Sequence, residues 1–167
     1  MSDIRRYNVL FLCTGNSARS ILCERYLNTV AGDRFRAYSA GSKPKGAVHP
    51  MSLDTLKLAH LPADGLRSKN WDEFARADAP KMDFVITVCD SAAGEVCPVW
   101  PGQPITAHWG FADPAAFLGS EAEQRAVFRD VFRQIRNRLD LFRSLPLEKL
   151  GRLALKHELD GIGRTTS

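Results

Sequence analysis

The stretch that most constrains this chain runs from Tyr7 to Ala31, where an apolar run gives way, across one short loop, to a helical pattern. Tyr7-Asn8-Val9-Leu10-Phe11-Leu12 reads as a buried strand, and Leu22, Tyr26 and Val30 recur at four-residue spacing. Between them lies Cys13-Thr14-Gly15-Asn16-Ser17-Ala18-Arg19-Ser20, a cysteine followed after five residues by an arginine. A short strand-to-helix loop can curl its backbone N–H groups around an anion, and the helix N-terminus adds partial positive charge. A thiol in that field is expected to ionise readily, because the donors that hold an oxyanion also favour a thiolate. Thr14, Gly15, Asn16, Ser17, Ala18 and Arg19 are the predicted cradle, with Ser17 contributing mainly its N–H. Gly15 and Asn16 suit unusual loop dihedrals. Arg19 offers a planar fork that matches two oxygens of phosphate or arsenate. Ser20 is expected to donate to the sulfur when it acts as a leaving group. No Gly-Lys-Ser/Thr is present, which argues against nucleotide hydrolysis of the Walker type.

The rest of the chain continues the alternation. Strands are predicted at Tyr7–Leu12, Phe35–Ala40, Phe84–Cys89 and Ile105–Trp109. Helices are predicted around Ser20–Ala31, Pro50–Ala59, Asn70–Ala77, Ser120–Ser144 and Leu147–Asp160. The long one carries a single apolar stripe of Phe128, Phe132, Ile135, Leu139 and Phe142, and Pro146 separates it from the last. Alternating strands and helices imply a parallel sheet covered on both faces, with ligands bound beyond the carboxyl ends of its strands. Cys13, Cys89 and the segment after Trp109 all follow strand ends, so one crevice can collect them. At 167 residues, 44% hydrophobic and 25% charged, the chain suits one globular domain over 1–167, with a helical extension at about 147–162.

Two further groups carry chemistry. Cys89 and Cys97, in Val88-Cys89-Asp90 and Glu95-Val96-Cys97-Pro98, read either as a resolving pair for thiol–disulfide exchange or as two unrelated small core residues. Zinc is disfavoured by their wide spacing and the lack of a second pair, and Cys23 falls inside the first helix as packing. Asp113, in His108-Trp109-Gly110-Phe111-Ala112-Asp113-Pro114, can protonate a leaving oxygen as a general acid or simply cap a turn. His108 and His49 are read as structural, since a thiolate already ionised by its loop needs no base. The net charge of +4 is spread along helix faces beside acidic residues, which argues for a solvated surface and against a nucleic-acid face. No apolar run nears the roughly 20 residues of a membrane span. The N-terminus lacks a signal-peptide layout, so a cytoplasmic location is expected.

These motifs resemble the arsenate reductases built on the low-molecular-weight protein tyrosine phosphatase fold. The shared stretches are Cys13–Ser20, Tyr-Ser-Ala-Gly at 38–41, Thr-Val-Cys at 87–89 and His-Trp-Gly-Phe-Ala-Asp-Pro at 108–114. The resemblance implies a three-layer α/β sandwich around a four-stranded parallel sheet. It also implies a relay in which Cys13 attacks arsenate held by the loop and Arg19, with Asp113 protonating the departing oxygen. Cys89 then attacks Cys13, and Cys97 attacks Cys89. No bound cofactor is implied beyond a monovalent cation at Asn16, Glu24, Ser39 and Asp72. The implied external reductant is thioredoxin, with glutathione and glutaredoxin or mycothiol as alternatives, because the spacing from Cys89 to Cys97 is slightly wide. Ala18 stands where many relatives carry a second loop cysteine, and the last helix extends past the usual end of the family. The same loop also fits a phosphatase acting on phosphotyrosine or aryl phosphates, or a non-enzymatic oxyanion-binding regulatory module.

Overall fold

The computed structural model describes residues 5–90, 94 and 98–165. The sheet grows outward from the first strand. β1 (Tyr7–Leu12) pairs in parallel with β2 (Phe35–Ala40) on one side and β3 (Phe84–Thr87) on the other, and β4 (Ile105–His108) adds to β3. The resulting order is β2-β1-β3-β4. Parallel neighbours need crossovers. The first of these is helix α1 (Arg19–Ala31), and α2 (Pro50–Leu58) follows β2.

Alternation along β1 sends its side chains to two different cores. Val9 and Phe11 join the larger one, with Phe35, Phe84 and Ile86 from the neighbouring strands. Over them lie Leu22, Cys23 and Leu27 of α1, and Phe132, Ile135, Leu139 and Phe142 of the long helix α3 (Glu121–Arg143). Phe142 sits at the focus of an aromatic cluster, 5.0 Å from Phe35, 5.3 Å from Phe84 and 5.8 Å from Trp109. Leu10 and Leu12 face the other way, onto Phe74, Met82, Val85 and Trp100. This second cover is thin: where a helix over Asn70–Ala77 is expected, a single 3-10 turn forms at Trp71–Phe74. Asn70 Oδ1 caps it by accepting from Asp72 N, and Trp71 packs edge-on to Trp100. The apolar pair at 71 and 74 matches a three-residue turn as well as it matches a helix.

The final helix also starts later than expected. Residues Leu147–Lys149 form a 3-10 turn, Gly151 is the N-cap, and α4 runs Arg152–Gly163. Leu155, Leu159 and Ile162 join the main core, and the buried Trp109 indole donates to Leu159 O at 3.0 Å. A Cβ at Gly163 would meet His108 O at 2.5 Å, so glycine lets α4 close onto the end of β4. Among the described residues no helix is long and apolar enough to cross a membrane.

Candidate active site

The loop from Cys13 to Ala18 leaves the end of β1 and opens into α1, and its shape is set by where its carbonyls go. Thr14 O accepts from Lys43 N, Gly15 O from Lys45 N and Ser68 Oγ, and Ser17 O from His49 N and Ser52 Oγ. In a planar trans peptide the next N–H points opposite to each carbonyl. With those carbonyls tied outward, the amides of Gly15, Asn16 and Ala18 turn inward. α1 begins with no side-chain cap and no acidic residue in its first turn, so its own leading amides remain available to an anion. The strained position is Asn16, at φ 44°, rather than Gly15, which has no positive φ. Gly15 instead provides room: a Cβ there would lie 3.3 Å from the Lys45 side chain. Gly41, closing the Tyr-Ser-Ala-Gly motif, allows a closer approach, since its Cβ would stand 2.3 Å from Thr14 O.

The cavity inside the loop has a volume of about 250 Å³ and is lined by Cys13, Thr14, Gly15, Ser17, Ala18, Arg19, Lys43, Lys45, Asp113 and Ala115. Arg19 reaches over it from α1. Its Nη1 donates to Phe111 O at 3.0 Å, its Nη2 lies 3.6 Å from Asp113 Oδ2, and its buried Nε has no hydrogen-bond partner among the described residues. Nε and Nη2 share the guanidinium edge that grips two oxygens of a tetrahedral anion. Asp113 caps a turn, as one of its two sequence readings expects, and also faces the cavity. Its Oδ1 caps the 3-10 turn Pro114–Ala116 by accepting from Ala115 N, while Oδ2 faces Arg19. Ser20 departs from expectation: its Oγ accepts from Asn16 Nδ2 at 2.8 Å, and the predicted bond to the Cys13 sulfur is not formed among the described residues.

Cys13 and Cys89 meet in this site. β3 ends two residues before Cys89, and there the Cys89 sulfur accepts from Thr14 N at 3.4 Å, lies 3.7 Å from Thr14 Oγ1, and neighbours the Cys13 side chain closely enough to influence its proton. That contact corrects the expectation of a readily ionised Cys13. The Cys89 side chain, and then burial, push the Cys13 thiol well above its ordinary range, against the pull of Arg19 and the Gly15 amide. Charging two neighbouring sulfurs at once sets like charges against each other. Cys23 is pushed up by burial alone before any opposing charge, which fits packing. Cys97 lies outside the described residues.

Several residues that sequence reasoning passed over shape the site. Lys43 and Lys45 bring two cations to the cavity rim, whereas in the sequence they are indistinguishable from surface lysines. Arg138, on the long helix, donates to Gly110 O at 3.0 Å and stacks 4.4 Å over Phe111, the residue whose carbonyl holds Arg19. His108 bridges Thr87 Oγ1 and Asp90 Oδ1, each at 2.8 Å, beside Cys89. His49 Nδ1 caps α2 by accepting from Met51 N at 3.0 Å. Of the residues expected around a cation, Glu24 and Ser39 face the ammonium of Lys69, Asn16 Oδ1 accepts from Lys69 N, and Asp72 lies in the 3-10 turn.

Comparison with known proteins places this geometry among relatives. The family model for low molecular weight phosphotyrosine protein phosphatases matches residues 8–152. The arsenate reductase of Halalkalibacterium halodurans is 37% identical over 134 residues, which is 80% of this chain and 93% of that protein. A solved arsenate reductase in a phosphate-binding state superposes with a TM-score of 0.61 at 27% identity, covering 78% of this chain and 95% of its own. The thioredoxin-dependent arsenate reductase of Corynebacterium glutamicum superposes at 0.58 with 26% identity, over 86% of this chain and 64% of its own.

Proposed function

This chain belongs to the low molecular weight phosphotyrosine protein phosphatase family, and we propose that within it the protein is an arsenate reductase that draws electrons from its own thiols. The observation that carries this reading is a second sulfur, Cys89, held on the loop amide of Thr14 next to Cys13, which lines an oxyanion-sized cavity. Hydrolysis of a phosphate ester needs only the first sulfur. A second sulfur against it serves a reaction in which an S–S bond must form.

Arsenate enters as a dianion and takes the Cys13 proton, and the resulting thiolate attacks arsenic while the loop amides and the Nε–Nη2 edge of Arg19 hold the remaining oxygens. An S–As bond forms and an As–O bond breaks, and the oxygen leaves as water with a proton from Asp113. Cys89 passes its proton to an oxygen of the arsenic adduct and attacks the Cys13 sulfur. The S–S bond forms, the S–As bond breaks with its electron pair kept on arsenic, and arsenite departs. In sum, arsenate and two thiols give arsenite, a disulfide and water. Cys97 then attacks Cys89, releasing Cys13 and carrying the disulfide outward to an external dithiol. Thioredoxin is the partner this reading favours, and glutathione with glutaredoxin or mycothiol would close the same cycle. Phosphorus takes up no such electron pair, so a phosphate ester in this loop proceeds only to hydrolysis. Unbridged thiols acting in relay suit the reducing cytoplasm, and the chain functions as one domain whose last helix buttresses the strand beside the site.

The cavity favours a small inorganic oxyanion over an aryl phosphate. Its lining brings two lysines and two alanines, with no aromatic side chain among the described residues. Arsenite release and p-nitrophenyl phosphate hydrolysis, measured side by side, test the assignment. Cys89→Ser abolishes reduction and spares hydrolysis, while Cys13→Ser removes both. Wild-type reduction by Cys89→Ser overturns the relay, and oxyanion binding without any turnover makes the protein a binding module instead. Supplying thioredoxin or glutathione with glutaredoxin in separate assays identifies the reductant.

A further inference from the structure

Directly behind the loop, where α1, β2 and the segment before the Trp71–Phe74 turn converge, a lysine is buried. Lys69 is 8% exposed. Its Nζ donates to Arg67 O at 3.0 Å and to Ser39 Oγ at 3.4 Å, and lies 3.6 Å from Glu24 Oε1. Ser39 Oγ donates to the same Glu24 oxygen at 2.6 Å. The backbone of Lys69 faces the loop: its N donates to Asn16 Oδ1 at 2.9 Å and its O accepts from Gly41 N at 3.0 Å. Asn16, fully buried in the left-handed region, passes the chain on from its Nδ2 to Ser20 Oγ. A single residue therefore ties the strained loop position to an acidic group below it.

A half-buried carboxylate calls for a compensating charge. At Glu24 that charge comes from the chain itself, with carbonyl, hydroxyl and carboxylate oxygens grouped around one ammonium. A free monovalent cation at these oxygens would stand against the Lys69 charge. Asn16 Oδ1 is already taken by Lys69 N, and Asp72 makes no hydrogen bond or ion pair with Glu24 or Lys69 among the described residues. The donor set thus does not fit the expected cation.

We infer that Lys69 is the built-in counter-ion of the oxyanion loop, a positioning residue that neutralises Glu24 and fixes Asn16, so that the loop binds its anion without an added monovalent cation. Burial works against the charged form of this lysine while Glu24 supports it. The inference rests on the loop's binding of a tetrahedral oxyanion and not on its reduction.

The test is calorimetric titration of the reduced protein with inorganic phosphate, in potassium chloride and in choline chloride at equal ionic strength. Wild-type affinity is expected to agree between the two salts within about twofold. Lys69→Ala should bind about tenfold more weakly in choline chloride, with potassium entering the vacated space and restoring most of the loss. Adding Glu24→Gln should remove that rescue, which a merely structural lysine would not produce. Tighter wild-type binding specifically in potassium, or a folded Lys69→Ala that potassium does not rescue, overturns the inference. If Lys69→Ala does not fold, wild-type melting in the two salts decides: equal melting temperatures support it, and a potassium-specific rise overturns it. Absence of phosphate binding by the wild type in either salt would instead overturn the oxyanion-loop reading, and with it this inference.

Discussion

Replacing Arg19 by lysine keeps the positive charge above the cavity and removes its fork. In the structure the guanidinium is divided between two tasks. Nη1 is committed to Phe111 O at 3.0 Å, and the edge made by Nη2 and the unpartnered Nε faces the cavity. A lysine ammonium can reach either the carbonyl or one oxygen of the anion, but it cannot grip two. Losing one charge-assisted hydrogen bond to the bound oxyanion costs about 1.5–3 kcal/mol, which is about 10- to 150-fold in affinity. Leaving the Phe111 carbonyl without its donor costs stability, about 1 kcal/mol, a separate effect read from the melting temperature. Phosphate affinity by calorimetry and kcat/KM for arsenate should therefore fall by similar factors in Arg19→Lys. An affinity within about threefold of wild type would mean that charge alone holds the anion, and the reasoning from the Nε–Nη2 edge would fail.

Other consequences follow from the same geometry. Since the Cys89 contact is the largest influence holding Cys13 up, Cys89→Ala should move the pH midpoint for alkylation of Cys13 by iodoacetamide downward; an unchanged or higher midpoint would refute the assignment. Lys43→Ala with Lys45→Ala should raise KM for arsenate severalfold with kcat little changed, each rim charge being worth about 0.3–1 kcal/mol; an effect that does not shrink with added salt would contradict the electrostatic origin. Burial holds His49 below its ordinary value of 6.5, and its Nδ1 must be unprotonated to cap α2. The unfolded chain therefore takes up that proton first as pH falls, so the contribution is complete above about pH 6.5 and is lost as pH drops through the lower folded value. His49→Asn keeps a capping oxygen and should abolish this acid sensitivity, measured by denaturant titration at several pH values; an identical pH profile in the variant would count against the cap.

How much of this could be read beforehand depends on whether a residue's role is periodic, local or assembled. The strands were legible because Val9 to Leu12 and Phe84 to Val88 are apolar runs, and the stripe from Phe128 to Phe142 left one orientation for the long helix. The loop was legible because its glycine, asparagine and arginine make sense together within a few residues. The turn at Trp71–Phe74 was mistaken for a helix because two apolar residues three apart satisfy both geometries. Lys69, Lys43 and Lys45 carried no local signal, since a lysine acquires meaning only from the distant residues the fold brings to it. The ionisation of Cys13 was misjudged for the same reason: its neighbour at the loop is local, but the sulfur that governs its proton comes from 76 positions later in the sequence.

The hold of α4 on β4 bears on how this molecule stays apart from its copies. β4 is one of the two outer strands of the sheet, and an uncovered outer strand is a template on which another chain can extend the ladder. Lys156 donates to the Thr106 carbonyl and Arg152 to that of Pro104, so two charged side chains occupy acceptors a foreign strand would seek. Proteolytic loss of the last helix would thus convert a self-limiting sheet into a growing one, and turbidity would register the damage at high protein concentration.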